Sequence, residues 1–348
     1  MSSSTPSSAS YEPTRRAAPL TAAPLLELQN LSTHYVSAQG TRVVRAVDEV
    51  SLRINAGETL GIVGESGSGK STLALTILRI LPAAARIVSG KMMFEGEDLL
   101  EKSEAEMRRV RGKRIAMILQ DPMASLNPLF TIGDQVAEPI RVHEKAPRAA
   151  AWQRAKNLLK AVRIPSPEMR VTQYPHEMSG GMRQRIVGAI GISCEPRLLI
   201  ADEPTTSLDL TIQAQYLNLL RDLQRQYHLA LIFITHNLGI VAKMCDRLAV
   251  MYAGRVVETG PVSQIFNAPT HPYTEALLNS IPRMTDSTQR LTAIEGQPPD
   301  LAALPPGCAF APRCPRAVDR CREAAPPEFS ETRGSMARCW LAARGGAA

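Results

Sequence analysis

The chain has 348 residues, enough for a large α/β core with a smaller appendage. No apolar run reaches the roughly 18 residues that a membrane-spanning helix requires. Its 40 Lys and Arg against 33 Asp and Glu give a formal charge of +7, yet the basic residues are dispersed and aromatic residues make up only 4% of the chain. A surface that stacks on nucleic-acid bases needs more aromatics, so no nucleic-acid partner is expected.

Residues 1–24 are rich in Ser, Ala and Pro, carry Arg15-Arg16 in their middle and have no apolar stretch. That is unlike a secretory signal and predicts a disordered lead. Leu25-Leu26-Glu27-Leu28, then Val43-Val44 through Leu52-Arg53-Ile54, are short apolar runs separated by turn residues, which predicts an antiparallel strand layer. Tyr35 falls in this layer. Its ring can stack on a base if a nucleotide site lies beside it, and otherwise reads as a half-exposed strand tyrosine.

The apolar strand Thr59-Leu60-Gly61-Ile62-Val63 leads into Gly64-Glu65-Ser66-Gly67-Ser68-Gly69-Lys70-Ser71, which fits GxxxxGK[ST], and Thr72 to Leu78 continues as a helix. Glycines let successive backbone N–H groups and the helix N-terminus point at one anion. Lys70 then reaches the β- and γ-phosphates, and the Ser71 hydroxyl holds Mg²⁺. ATP and Mg²⁺ are therefore the expected ligands, with Gly64 to Thr72 as the cradle.

The basic cluster Arg108, Arg109, Arg111, Lys113 and Arg114 reads as a solvated face. It precedes the strand Ile115-Ala116-Met117-Ile118-Leu119, at whose exit stands Gln120. A glutamine there can coordinate Mg²⁺ and orient a water, since its amide both accepts and donates. Residues from about 123 to 195 show helical spacing and predict a helical subdomain inserted in the α/β core. Within it, Ser179-Gly180-Gly181 precedes a long helical stretch. Ser179 can cap that helix, and the glycines admit an anion at its positive end.

The apolar strand Arg197 to Ala201 ends in Asp202-Glu203. Adjacent carboxylates at the end of a buried strand are costly unless they serve a site. Asp202 suits the Mg²⁺ shell, and Glu203 suits a general base. The strand Ala230 to Ile234 delivers Thr235-His236 to the same edge, where His236 can contact a γ-phosphate.

Cys194 and Cys245 read as small buried hydrophobes. Cys308, Cys314, Cys321 and Cys339 are spaced C-x5-C-x6-C-x17-C in a Pro- and Ala-rich tail. Four thiolates suit zinc or an iron–sulfur cluster, and spacing alone does not choose between these and four unligated thiols.

The ordered set of P-loop, Gln120, Ser179-Gly180-Gly181, Asp202-Glu203 and His236 resembles the ATP-binding subunit of an ABC transporter over about residues 25 to 265. The resemblance implies a P-loop NTPase core with an antiparallel β layer and a helical signature subdomain. It also implies a head-to-tail dimer that sandwiches each ATP. Tyr35 would stack on adenine, Ser179, Gly180 and Gly181 would act in trans, and Ser207-Leu208-Asp209 would cross the dimer interface. Met182 stands where many members have Gln, and Met178 where Leu is frequent.

Ser179-Gly180-Gly181-Met182-Arg183-Gln184-Arg185, Gln120-Asp121-Pro122-Met123-Ala124-Ser125-Leu126-Asn127-Pro128 and Ala268-Pro269-Thr270-His271-Pro272-Tyr273-Thr274 resemble the oligopeptide, dipeptide and nickel importer branch. That branch implies a C-terminal extension over residues 266–348 holding a [4Fe-4S] cluster on the four tail cysteines. It further implies a second ATPase subunit, either a paralogue or a second copy, two transmembrane permeases and an extracellular solute-binding protein. The place of work is then the cytoplasmic face of the inner membrane, with the chain bound peripherally. Nickel or glutathione-like solutes are alternative cargoes. A soluble ABC ATPase acting on DNA or ribosomes is less expected, since neither tandem ATPase domains nor long coiled coils are visible.

Overall fold

The computed structural model describes residues 23–206, 208–280, 294–330 and 335–343. The expected N-terminal lead, except its last two residues, and Ser207 of the expected interface loop lie outside them. In chain order the strands are β1 Leu26–Val36, β2 Val43–Ile54, β3 Thr59–Val63, β4 Ala85–Phe94, β5 Glu97–Asp98 and β6 Ile115–Ile118. They are followed by β7 Leu198–Asp202, β8 Ala230–Ile234, β9 Arg247–Tyr252, β10 Arg255–Pro261, β11 Phe329–Ser330 and β12 Met336–Ala337.

These strands form an antiparallel sheet in the order β2-β1-β4-β5 and a larger sheet in the order β11-β12-β10-β9-β3-β8-β7-β6. From β9 to β6 the larger sheet is parallel throughout. The α/β class and the antiparallel layer are as the sequence implies.

Parallel strands covered on both faces read as unbroken apolar runs, and β8 shows why. Ala230, Ile232 and Ile234 face the core shared with the antiparallel layer, whereas Leu231 and Phe233 face the core shared with the helices. β7 alternates in the same way, with Leu198 and Ile200 on one side and Leu199 and Ala201 on the other. Each such large side chain contributes about 1.5–3 kcal/mol on burial.

The expected helical insertion is found as helices Pro122–Ser125, Ile132–Glu144, Arg148–Ala161, Pro167–Arg170 and Gly180–Ile192. Ile132, Val136 and Ile140 recur every four residues along one helix and join a core that also holds Ala151, Ala155 and Leu159 of the next. Thr131 starts the first of these, its Oγ1 accepting the Asp134 N–H at 3.2 Å. The basic cluster before β6 is tied locally. Arg111 donates to Leu78 O and to Glu104, and Arg114 to Glu95 and Glu97, so no further partner is needed to explain it.

The Pro- and Ala-rich tail packs on the main sheet. β12 pairs antiparallel with β10, extending the main sheet, and β11 pairs with β12. Phe310, Tyr273 and Tyr252 are buried together, with ring centroids 4.5 to 5.3 Å apart. The reason is physical: an open edge on β10 and a half-built apolar layer both favour covering.

His271 lies in this layer and caps helix Pro272–Asn279, its Nδ1 accepting the Tyr273 N–H at 3.0 Å. Burial, with a smaller contribution from Arg316, pushes its pKa down from 6.5 to about 3. Below pH 6.5 the unfolded chain therefore binds a proton that the folded chain refuses, and stability falls as pH drops toward 3. The slope per such group is about 1.4 kcal/mol per pH unit. His271→Asn keeps an acceptor at the cap but removes the titration, so its melting temperature should fall less than wild type between pH 7 and pH 5. Equal falls would show that His271 is not held neutral.

Candidate nucleotide site

Because β3, β8, β7 and β6 are adjacent and parallel, their C-terminal ends share one edge. Val63 enters the phosphate loop there, Asp202-Glu203 follow β7, Thr235-His236 follow β8, and Gln120 follows β6. Hydrogen bonds lock the edge, with Thr235 N donating to Ile62 O and Glu203 N to Ile234 O.

The loop cannot take another residue at Gly69. Its φ is +102°, and a Cβ there would lie 2.0 Å from Ala46 O. Lys70 opens helix Lys70–Ile77 and is buried, with Nζ donating to Gly64 O at 2.8 Å, Glu65 O at 2.9 Å and Ser68 Oγ at 3.3 Å. Burial lowers its pKa, and Glu203, Asp202 and Glu65 pull it back up. A buried ammonium among three carboxylates stays available to an anion that carries more charge than any one of them.

Asp202 is buried beside the Ser71 hydroxyl, and its Oδ1 has no partner among the described residues. Burial raises its pKa; the Ser71 hydroxyl opposes the rise, and Glu203 adds to it. An orphaned carboxylate oxygen beside a hydroxyl fits the oxygen shell that Mg²⁺ takes.

Glu203 gathers the remaining expected groups. Its Oε2 accepts from Gln120 Nε2 at 3.2 Å and from Thr206 Oγ1 at 2.9 Å, and its Oε1 lies 3.3 Å from His236 Nδ1. Its backbone sits at φ +45°, a conformation that costs a non-glycine residue on the order of 1 kcal/mol and is often kept where function requires it. Asn237 holds the histidine segment, its Oδ1 capping helix Leu238–Met244 through Gly239 N and Ile240 N.

Tyr35 shares a hydroxyl bond with Thr72 Oγ1 at 3.4 Å, which puts the ring beside the helix that carries Lys70 and Ser71. Ser179, Gly180 and Gly181 form no hydrogen bond with Gly64 to Thr72 among the described residues. Ser179 caps helix Gly180–Ile192 and is exposed, as is Gly180. A Cβ on Gly181 would come 2.8 Å from Ile212 Cγ2, so this glycine also serves close packing inside the chain. Asp209 is the N-cap of helix Leu210–Tyr227, accepting from Thr211 N and Ile212 N at 3.0 Å each.

A family model for ABC transporters matches residues 47–206, and one for the oligopeptide/dipeptide transporter C-terminal region matches residues 257–321. A probable peptide ABC transporter ATP-binding protein of Sinorhizobium fredii is 51% identical over 318 residues, which are 91% of this chain and 94% of the relative. The oligopeptide transport ATP-binding protein OppD of Haemophilus influenzae is 46% identical over 92% of this chain and 98% of its own. The chain belongs to the ATP-binding subunits of oligopeptide/dipeptide ABC transporters.

Among solved structures, the CbiO1 cassette of Clostridium perfringens aligns with TM-score 0.60 at 28% identity, covering 70% of this chain and 91% of that one. The dimeric cassette MJ0796 in a post-hydrolysis state bound to ADP and Pi gives TM-score 0.61 at 24% identity, over 68% of this chain and 98% of that one, and shares the fold. The fold of this transporter ATPase is thus the P-loop NTPase core, and the chain is an ATP-hydrolysing subunit.

The four tail cysteines of this subunit line one small cavity together with Pro272 and Trp340. All six cysteines are free thiols. The expected ready-made metal site is not found, since no three Cys, His, Asp or Glu side chains converge as ligands of a metal ion among the described residues. Sequence reasoning missed Thr206, although its place three residues after Glu203 in a turn is a usable signal. It also missed Tyr273 as a partner of the phosphate loop: its hydroxyl accepts the Glu65 N–H at 2.9 Å.

Asp202→Asn removes a charge that burial and Glu203 both disfavour. The variant should melt no lower than wild type at pH 7 while losing Mg²⁺-dependent ATP turnover by at least about a hundredfold. Differential scanning calorimetry and a phosphate-release assay check both halves. A variant that is destabilised but turns over normally would remove Asp202 from the metal shell.

Proposed function

We propose that this ATPase energises the import of dipeptides or oligopeptides through separate membrane permeases. The meeting of Lys70, Ser71, Gln120, Asp202, Glu203 and His236 at one sheet edge supports the ATPase half, and the peptide cargo rests on the likeness to relatives named for peptide and oligopeptide transport. Lys70 and the backbone from Gly64 to Thr72 bind the β- and γ-phosphates, and Ser71, Gln120 and Asp202 hold Mg²⁺. The ion supplies charge neutralisation on the phosphate oxygens. Glu203, its carboxylate steadied by Gln120, Thr206 and His236, takes the proton of the attacking water. Gln120 also orients that water, His236 contacts the γ-phosphate, and Tyr35 carries the adenine.

Ser179, Gly180, Gly181 and Asp209 act on the ATP of a second ATPase subunit, a copy or a paralogue, in a head-to-tail pair. The exposure of Ser179, Gly180 and Asp209, and the absence among the described residues of hydrogen bonds from these four to this chain's own phosphate loop, support that role. Two permeases dock on the segment that follows Gln120, in which Leu129 is 80% exposed and Phe130 53%. Exposed large apolar side chains favour a protein partner. A solute-binding protein reaches the chain only through those permeases. No helix among the described residues is long and apolar enough to cross a membrane. The chain is then held peripherally at the cytoplasmic face of the inner membrane. Residues 25–265 form the ATPase domain and 266–348 the extension.

We further propose a structural [4Fe-4S] cluster on Cys308, Cys314, Cys321 and Cys339. Backbone amides stand near three of the sulfurs, those of Phe310 and Ala311 by Cys308, Arg316 by Cys314, and Leu341 and Ala342 by Cys339, and pull the thiols toward thiolate. Burial works the other way and pushes the Cys308 thiol up to about 11. The donor set therefore favours a cation that binds thiolate in place of protons.

Glu203→Gln should keep ATP binding and lower turnover by about a hundredfold or more, and cells carrying it should stop accumulating a labelled dipeptide. Turnover near wild type would remove Glu203 as the base, and normal turnover without any peptide uptake would remove the cargo. For the cluster, anaerobically purified protein should carry about four irons and four sulfides per chain, lost in Cys308→Ser. One zinc, or no metal, would remove the cluster.

A further inference from the structure

Among the described residues, the cysteine segment meets the phosphate loop through one charged pair. Arg313, next to Cys314, grips Glu65 with both arms of its guanidinium, Nη1 donating to Oε2 at 2.7 Å and Nη2 to Oε1 at 2.9 Å. The Arg313 side chain is only 4% exposed, against 26% for Glu65. The tail and core fix the guanidinium from its other sides: Nε donates to Glu295 O at 2.9 Å and Nη2 to Ile294 O at 3.3 Å. Nη1 also donates to the Tyr252 hydroxyl at 3.3 Å, and the group lies over the rings of Tyr252 and Phe310.

Glu65 is held at its main chain as well, by the Tyr273 hydroxyl that accepts its N–H. Its carbonyl in turn accepts from Lys70 Nζ at 2.9 Å. A continuous path thus runs from Cys314 through Arg313 and Glu65 to the lysine that meets phosphate. Glu65 is the one charged side chain between Gly64 and Gly69, and so the only ionic handle by which the loop can be held. A carboxylate next to a triphosphate is repulsive unless a cation covers it. Another ion pair between tail and β layer, Arg42 with Asp300, lies in solvent with its side chains 63% and 53% exposed, and touches no part of the site.

We propose that Arg313 is a positioning residue of the nucleotide site, holding Glu65 so that the P-loop keeps its phosphate-binding shape, and that ATP affinity consequently depends on the integrity of the cysteine segment. The first half rests on geometry alone. The second rests on the proposed cluster.

The test is titration of the full-length protein with MgATP, together with turnover at saturating ATP. Arg313→Ala should weaken ATP binding by about tenfold or more, the scale of a lost charge-assisted pair, and leave turnover at saturation within about twofold. Arg313→Ala with Glu65→Gln should bind better than Arg313→Ala alone, because no bare carboxylate then faces the phosphates. Arg42→Ala should match wild type in both readouts. Should Arg313→Ala fail to fold, Arg313→Lys decides the matter: it keeps the charge but not the two-armed grip, and an unchanged ATP affinity would overturn the proposal. So would equal effects of Arg313→Ala and Arg42→Ala, or a loss confined to turnover. Cys314→Ser, with iron measured in parallel, tests the second half. Loss of iron with unchanged ATP affinity would sever the coupling, whereas a wild-type protein without metal would sink the cluster reading and leave the Arg313 results to stand or fall by themselves.

Discussion

The parallel register of β6, β7, β8 and β3 is the constraint on which everything else depends. A parallel ladder with one register brings four strand ends to one edge, so four separated pieces of sequence can build one site without any loop having to find another. The register is enforced from both sides of the sheet. A one-residue slip of β8 would exchange Ile232 and Ile234 with Leu231 and Phe233 between two cores of different shape. Packing energy spread over the sheet thus fixes Lys70, Asp202, Glu203 and His236 relative to one another.

What the edge collects is charge in a place that disfavours it. Lys70 and Asp202 are both buried, burial moves each toward its neutral form, and each holds the other back. Such a group of charges is stable enough to persist but incompletely satisfied, as the orphaned Asp202 oxygen shows. The positive φ of Glu203 belongs to the same balance: β7 ends at Asp202, and the next residue turns its carboxylate toward Gln120, Thr206 and His236. Energy stored in burying and straining these groups is supplied by the apolar sheet beneath them.

The core was legible because its signals are local. β3 and β8 have the bounds that their apolar runs predict, and β7 differs by one residue at each end, since a strand buried on both faces can carry almost nothing polar. The P-loop was legible because its glycines answer to backbone geometry. The signature glycines were only half legible: the role of Gly181 against Ile212 depends on a helix thirty residues away in sequence. The tail was least legible. Its strands are two residues long, its apolar residues are scattered among prolines, and its hold on Glu65 joins residues 248 apart. No periodicity announces a contact of that kind.

The tail's position follows from the same physics as the core. β10 leaves an edge that β12 covers by pairing Glu258 with Ala337 and Thr259 with Met336, and Tyr252 at the end of β9 leaves a ring that Tyr273 and Phe310 cover. β9 lies directly beside β3, so any segment packed on Tyr252 stands next to the loop that leaves β3. Covering the edge therefore carries the cysteine segment to the phosphate loop, and Arg313 needs only to reach one residue further to meet Glu65. A stabilising patch on an exposed sheet edge becomes, through that adjacency, part of the frame around the nucleotide.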